Sequence, residues 1–296
     1  MDMTRRIFFG IAAALALLSP ASAQTRQTDV IYGHKQGIAL SMDVFVPEKS
    51  KANGIGILWM VSGGWNSRHE DINPALGKAF TDRGYTLFQV VHGTQPKFTL
   101  PEIMQDIHRS VRFVRSNASR WGINPDKLGI SGGSAGGHLS TMIAAYGGPG
   151  DPTAKDPIDR ASSAVQCAAC FYPPTDFLNY GKDGAKAMLN PFLKGYWPAF
   201  GITDKTTPEE IERLSKTLSP IYGINKSTPP IFLIHGTADL LVPIQQSERL
   251  IAKLKEEGVP CELVTRPGRG HGWPGIENDA LLLMDWFDKY LTSPRR

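Results

Sequence analysis

The chain has 296 residues, ordinary apolar content and a formal net charge of +4. That length can bury one large core, and so small a charge excess does not fit a nucleic-acid or anionic-membrane surface. No repeat or low-complexity tract interrupts it, so one globular domain over residues 24–296 is expected.

The first 23 residues stand apart. Arg5 and Arg6 precede an apolar run from Ile7 to Leu18, followed by Ser19-Pro20 and Ala21-Ser22-Ala23. These are the three parts of a signal peptide cleaved after Ala23, and the run is shorter than the roughly 18 apolar residues of a membrane span. Thr4-Arg5-Arg6-Ile7-Phe8-Phe9 resembles a twin-arginine export signal. An exported bacterial protein, periplasmic or secreted and without a stable membrane anchor, is the expectation.

Asp29 to Tyr32 and Ala39 to Val46 alternate like a half-exposed antiparallel edge. Ile55–Val61, Thr86–Val91, Lys127–Ser131, Ala164–Tyr172, Ile231–His235 and Cys261–Arg266 are short apolar runs ended by Gly, Pro or polar residues, the pattern of buried parallel strands. Between and after them lie helical stripes: Ile103, Ile107, Val111 and Val114; Ser247, Leu250, Ile251 and Leu254; Ala280, Met284, Phe287 and Leu291. The alternation predicts an α/β fold, a doubly wound and mostly parallel sheet whose ligand site lies beyond the carboxyl ends of the strands. Residues 176–220 break the alternation and carry Phe177, Tyr180, Phe192, Tyr196, Trp197 and Phe200, so they read as a small helical cap. Its aromatics are open between packing on the sheet edge and lining a substrate site. Cys167 and Cys170, three apart in a strand, face opposite ways and are expected as buried free thiols.

Directly after the strand Lys127–Ser131 comes Gly132-Gly133-Ser134-Ala135-Gly136 and then helical sequence. A Gly-x-Ser-x-Gly turn in that context presents the serine hydroxyl at a helix start, which makes Ser134 the candidate nucleophile. Ser131 fits an overlapping match but still belongs to the strand, where a structural hydrogen bond is the simpler role. A serine needs a base, and the candidates are His34, His69, His92, His108, His138, His235 and His271. Nucleophile-elbow hydrolases run in the order Ser, acid, His, and the loop Gly268-Arg269-Gly270-His271-Gly272-Trp273 after the last strand selects His271. His108 and His235 fit packing or loop roles; His92 and His138 are open between packing and lining the site. Asp239, in Gly236-Thr237-Ala238-Asp239 after the penultimate strand, is the candidate acid, with Asp176 as its rival. Oxyanion donors are expected from Gly63, Gly64 and Trp65 of Ser62-Gly63-Gly64-Trp65 and from the N–H of Ala135. Trp65, His92 and Trp273 are the candidates for touching substrate.

With these motifs in place, the chain from about Asp29 to its end resembles an esterase or lipase of the α/β-hydrolase superfamily. His235-Gly236-Thr237-x-Asp239 and Gly270-His271-Gly272 are also similar to catalytic domains of the prolyl oligopeptidase group. Ser62 stands where many such esterases carry His before the two glycines. The resemblance implies a serine hydrolase acting on a small-molecule carboxylic ester through an acyl-enzyme. An amide or peptide hydrolase with the same three residues is the alternative, and a non-catalytic binding protein on this scaffold is a third reading. No nucleotide or metal motif accompanies them, so no cofactor and no metal are expected.

Overall fold

The computed structural model describes residues 24–292, so the expected signal peptide lies outside the described residues. Eight strands form one sheet: β1 (Thr25–Lys35), β2 (Ile38–Val46), β3 (Gly56–Met60), β4 (Thr86–Val90), β5 (Leu128–Gly133), β6 (Cys167–Phe171), β7 (Ile231–Gly236) and β8 (Cys261–Arg266). Their spatial order is β1-β2-β4-β3-β5-β6-β7-β8. The β1–β2 and β2–β4 pairs are antiparallel, as the alternation at that edge predicts. All remaining pairs are parallel. Strands β4, β6 and β7 are buried along their whole length, because both faces of a crossover-built sheet are covered.

The helices are α1 (Pro74–Asp82), α2 (Leu100–Ser116), α3 (Ala135–Tyr146), α4 (Trp197–Phe200), α5 (Pro208–Thr217), α6 (Gln245–Glu256) and α7 (Ile276–Leu291). The three stripes read from the sequence bury their apolar residues in α2, α6 and α7. Helix α1 was not singled out, because Leu76 and Phe80 alone give it no full stripe. Its start is held by Asn73, whose side chain accepts from Ala75 N–H and Leu76 N–H.

The core lies on both faces of the sheet. One side joins Ile107, Leu139, Leu250 and Cys170 under α2, α3 and α6. The other joins Phe80, Phe287 and Cys167 under α1 and α7. Cys167 and Cys170 are thus free, buried and on opposite faces, as the strand geometry requires. Between β6 and β7 the chain passes through α4, α5 and several short turns of 3-10 helix, with Phe177 and Phe200 buried together. Phe177, Tyr196 and Phe200 of this segment pack on Trp65, in the loop beyond the carboxyl end of β3.

Candidate active site

The tight turn after β5 has a steric cause. A Cβ on Gly132 would lie 2.6 Å from the backbone of Gly136, and one on Gly136 would lie 2.6 Å from the carbonyl oxygen of Met60. Only glycines let the strand turn straight into α3. Ser134, between them, adopts φ 55 and ψ −121, a conformation that L-residues rarely hold. The surrounding structure enforces it: Ser134 N–H donates to Phe171 O at 3.0 Å, and its carbonyl accepts from His138 N–H at 2.8 Å.

The loop after β8 brings His271 over the sheet, with Gly272 at φ 84 and a short bridge between Gly270 and Gly272. His271 Nε2 lies 2.8 Å from Ser134 Oγ, and Nδ1 lies 2.7 Å from Asp239 Oδ2. Asp239 follows β7, and its buried carboxylate also accepts from the N–H groups of Leu241 and Val242, each at 2.9 Å. Burial alone would raise its pKa. Hydrogen bonds from His235, His271 and Val242 outweigh that and hold the carboxyl well below the ordinary aspartate range. Asp239 is therefore ionised at neutral pH.

Asp176 is not near this array. Its buried carboxylate accepts from Leu178 N–H, Asn179 Nδ2, Tyr222 Oη and Arg249 Nε, so it ties the start of the segment between β6 and β7 to α6. Ser131 Oγ donates to Ala169 O at 2.6 Å, the structural role expected of it.

The oxyanion candidates divide. Gly63 N–H is spent on Asn66 O at 2.9 Å, with Asn66 N–H returning to Gly63 O, which removes Gly63 from the expected donor set. The N–H groups of Gly64, Trp65 and Ala135 have no acceptor among the described residues, and all three residues line the same pocket as Ser134. Gly64 and Trp65 both have positive φ, 55 and 61 respectively, which bends this loop toward the serine. With Ser62 in place of His, the loop is braced from elsewhere. Ser67 Oγ donates to Val61 O at 2.5 Å, while Gln95 holds Gly64 O through Nε2 and Trp65 O through N–H, both at 3.3 Å.

Beside Ser134 opens a small apolar pocket walled by Trp65, Phe177, Tyr180, Met188, Leu193 and Tyr196. The aromatics of the segment between β6 and β7 thus divide between the roles left open for them: Phe177 both packs and lines, whereas Phe192 is 94 % exposed and does not line this pocket. Trp65 is fixed by its indole Nε1, which donates to His138 Nδ1 at 3.1 Å; His138 Nε2 in turn donates to Leu218 O at 2.7 Å. Burial pushes His138 down to about 4, so it sits there neutral.

Two expected substrate contacts are corrected. His92 is buried beneath the loop, with Nδ1 on Gly93 O, and does not line the pocket. Trp273 is drawn away because Asp279, in the first turn of α7, accepts its indole N–H at 2.9 Å, and the ring packs on Phe171 and Tyr172. The residue lying against the imidazole instead is Tyr172, with ring centroids 4.6 Å apart. Sequence reasoning missed it, although it immediately follows β6, where site residues are sought. Elsewhere, Asp29, Asp43 and His69 bring three potential metal-ligating atoms together, but Asp43 already pairs with Arg26 at 2.6 Å.

Comparison with known proteins gives the family and the fold. The family model described as BD-FAE matches residues 42–254. Esterase LipQ of Mycobacterium tuberculosis is 30% identical over 80% of this chain and 54% of its own. The same organism's LipM, described as a probable carboxylic ester hydrolase, is 28% identical over 77% of this chain and 51% of its own. The chain thus spans about half the length of these curated relatives. Among solved structures, a truncated carbohydrate esterase from gut microbiota superposes with a TM-score of 0.74 at 24% identity, over 93% of this chain and 99% of that one. The fold is that of the α/β-hydrolases, as the sequence resemblance implies.

Proposed function

Since the chain belongs to the BD-FAE family, we propose that it hydrolyses carboxylic esters through an acyl-enzyme carried on Ser134. The observation that carries this reading is the continuous array from Ser134 Oγ to His271 to Asp239, at 2.8 and 2.7 Å, beside unpartnered N–H groups. Ser134 Oγ attacks the ester carbonyl carbon while its proton passes to His271 Nε2. Asp239 holds the resulting imidazolium, and the N–H groups of Gly64, Trp65 and Ala135 receive the oxyanion. His271 then gives its proton to the departing alkoxide, and water activated by the same imidazole releases the acid.

The aromatic walls of the pocket support short acyl groups as the substrate class. Esterase homologues support the ester over the amide. A panel of nitrophenyl esters of rising acyl length beside matched anilides tests both points: acetyl to butyryl esters should be turned over, and the anilides should not. Faster anilide hydrolysis would replace this reading with an amidase.

Export rests on Arg5-Arg6, the apolar run and Ala21-Ser22-Ala23. Among the described residues no helix is long and apolar enough to cross a membrane. Material recovered from periplasm or medium should begin at Gln24; an intact Met1 on a membrane-bound product would refute export.

A further inference from the structure

The hydrogen-bond array does not stop at Asp239. His235, at the end of β7, is fully buried and makes three contacts: Nδ1 to Ser247 Oγ at 2.7 Å, and Nε2 to Val242 O at 2.9 Å and to Asp239 Oδ2 at 3.2 Å. Val242 O can only accept, so Nε2 carries the proton. With one proton on the ring, Nδ1 is the acceptor and the hydroxyl of Ser247 its donor, at 2.7 Å. The Nε2 N–H is shared between the carbonyl and the carboxylate.

Asp239 Oδ2 consequently receives two imidazole N–H groups, from His271 and from His235, while Oδ1 is filled by the N–H groups of Leu241 and Val242. Each donor fixes the carboxylate plane. Each also withdraws charge from the oxygen that must attract the His271 proton.

Resting on the proposed triad, we infer that His235, its tautomer held by Ser247, is a positioning residue that orients Asp239 and moderates its pull on the His271 proton. The other titratable groups around this array are Tyr172, whose ring lies on His271, and Tyr180, whose hydroxyl donates to Leu241 O at 2.8 Å. Neither donates a hydrogen bond to Asp239, so His235 is the side chain through which its basicity is adjusted.

Three substitutions separate this role from packing. His235→Phe keeps the ring and loses the donor. His235→Gln reaches the Nε2 position with an amide N–H, and His235→Asn reaches only the Nδ1 side toward Ser247. Profiles of kcat and kcat/KM against pH are measured on a short-chain ester for all three, with Ser134→Ala as reference. The Phe and Asn variants should lose roughly 10- to 100-fold in kcat at little change in KM. Their acid limb should move up by roughly half a pH unit, because an Asp239 with fewer donors holds the imidazolium more strongly. The Gln variant should recover most of the rate and the original limb. If His235→Phe does not fold, the Asn and Gln variants carry the same comparison: a difference between them supports the role, and equality overturns it. Wild-type kinetics in the Phe and Asn variants, or an equal loss in all three with an unmoved limb, also overturns it. Turnover by Ser134→Ala would bring down the triad reading itself; an inactive Ser134→Ala beside unaffected His235 variants brings down this inference alone.

Discussion

The indole Nε1 of Trp65 donates to Nδ1 of His138 at 3.1 Å inside the protein, joining the loop after β3 to helix α3 across 73 residues of sequence. Trp65 lines the pocket beside Ser134 and its backbone N–H has no acceptor among the described residues, so one buried imidazole braces both a pocket wall and a candidate oxyanion donor.

His138→Phe should therefore leave Trp65 Nε1 and Leu218 O without partners, at a cost of about 1–3 kcal/mol in stability. The released loop should lower kcat/KM on short esters by about 10- to 100-fold, the scale of a small misplacement near the reacting atoms. Urea unfolding and ester kinetics on the variant check both. Wild-type kinetics with lowered stability would separate the pocket from the loop.

The same imidazole gives a pH dependence. Its pKa in the folded protein is pushed down to about 4, below the 6.5 of an unburied histidine, and His92 behaves alike. Below pH 6.5 the unfolded chain takes up protons that the folded one refuses. Stability should therefore fall as pH drops from 6.5 toward 4, at about 1.4 kcal/mol per pH unit for each ring, and level off once the folded rings titrate. In His138→Phe the slope between pH 6 and 5 should be smaller by one such increment. An unchanged slope would mean that His138 is not held neutral.

Ser134→Ala should abolish ester turnover, a loss on the order of 10⁶ in kcat, with the fold intact. Ser131→Ala removes only the bond to Ala169 O, and should cost about 1 kcal/mol in stability with turnover retained. An active Ser134→Ala beside an inactive Ser131→Ala would move the nucleophile.

Asp239→Asn should reduce kcat by up to about 10⁴, because an amide beside Nδ1 favours the wrong imidazole tautomer. Asp176→Asn weakens the Arg249 pair and should lower stability while kcat stays near wild type. Kinetics and thermal unfolding on both variants decide which carboxylate serves His271.

Tyr196 packs on Trp65 with ring centroids 5.4 Å apart and closes one side of the pocket. Tyr196→Ala should raise the hexanoyl-to-acetyl ratio of kcat/KM by about 10-fold, since each buried methylene is worth at least that in a fitted pocket. An unchanged ratio would place the acyl chain elsewhere.

Periodicity and local turn chemistry were legible in the sequence. The strand runs, the three helical stripes and the glycine-flanked Ser134 each depend on neighbours within a few residues, where steric limits act directly on the chain. Chain order points to His271 and Asp239, and the geometry brings His271 to Ser134 and Asp239 to His271. What the sequence could not rank were pairings made across the fold. His271 and Ser134 meet across 137 residues, and Arg249 claims Asp176 across 73. Asn66 consumes the N–H of Gly63, Asp279 captures Trp273, and Ser247 and Val242 set the tautomer of His235. A hydrogen bond has short reach and strict direction, so which partner each polar group obtains is decided only when packing brings distant segments together.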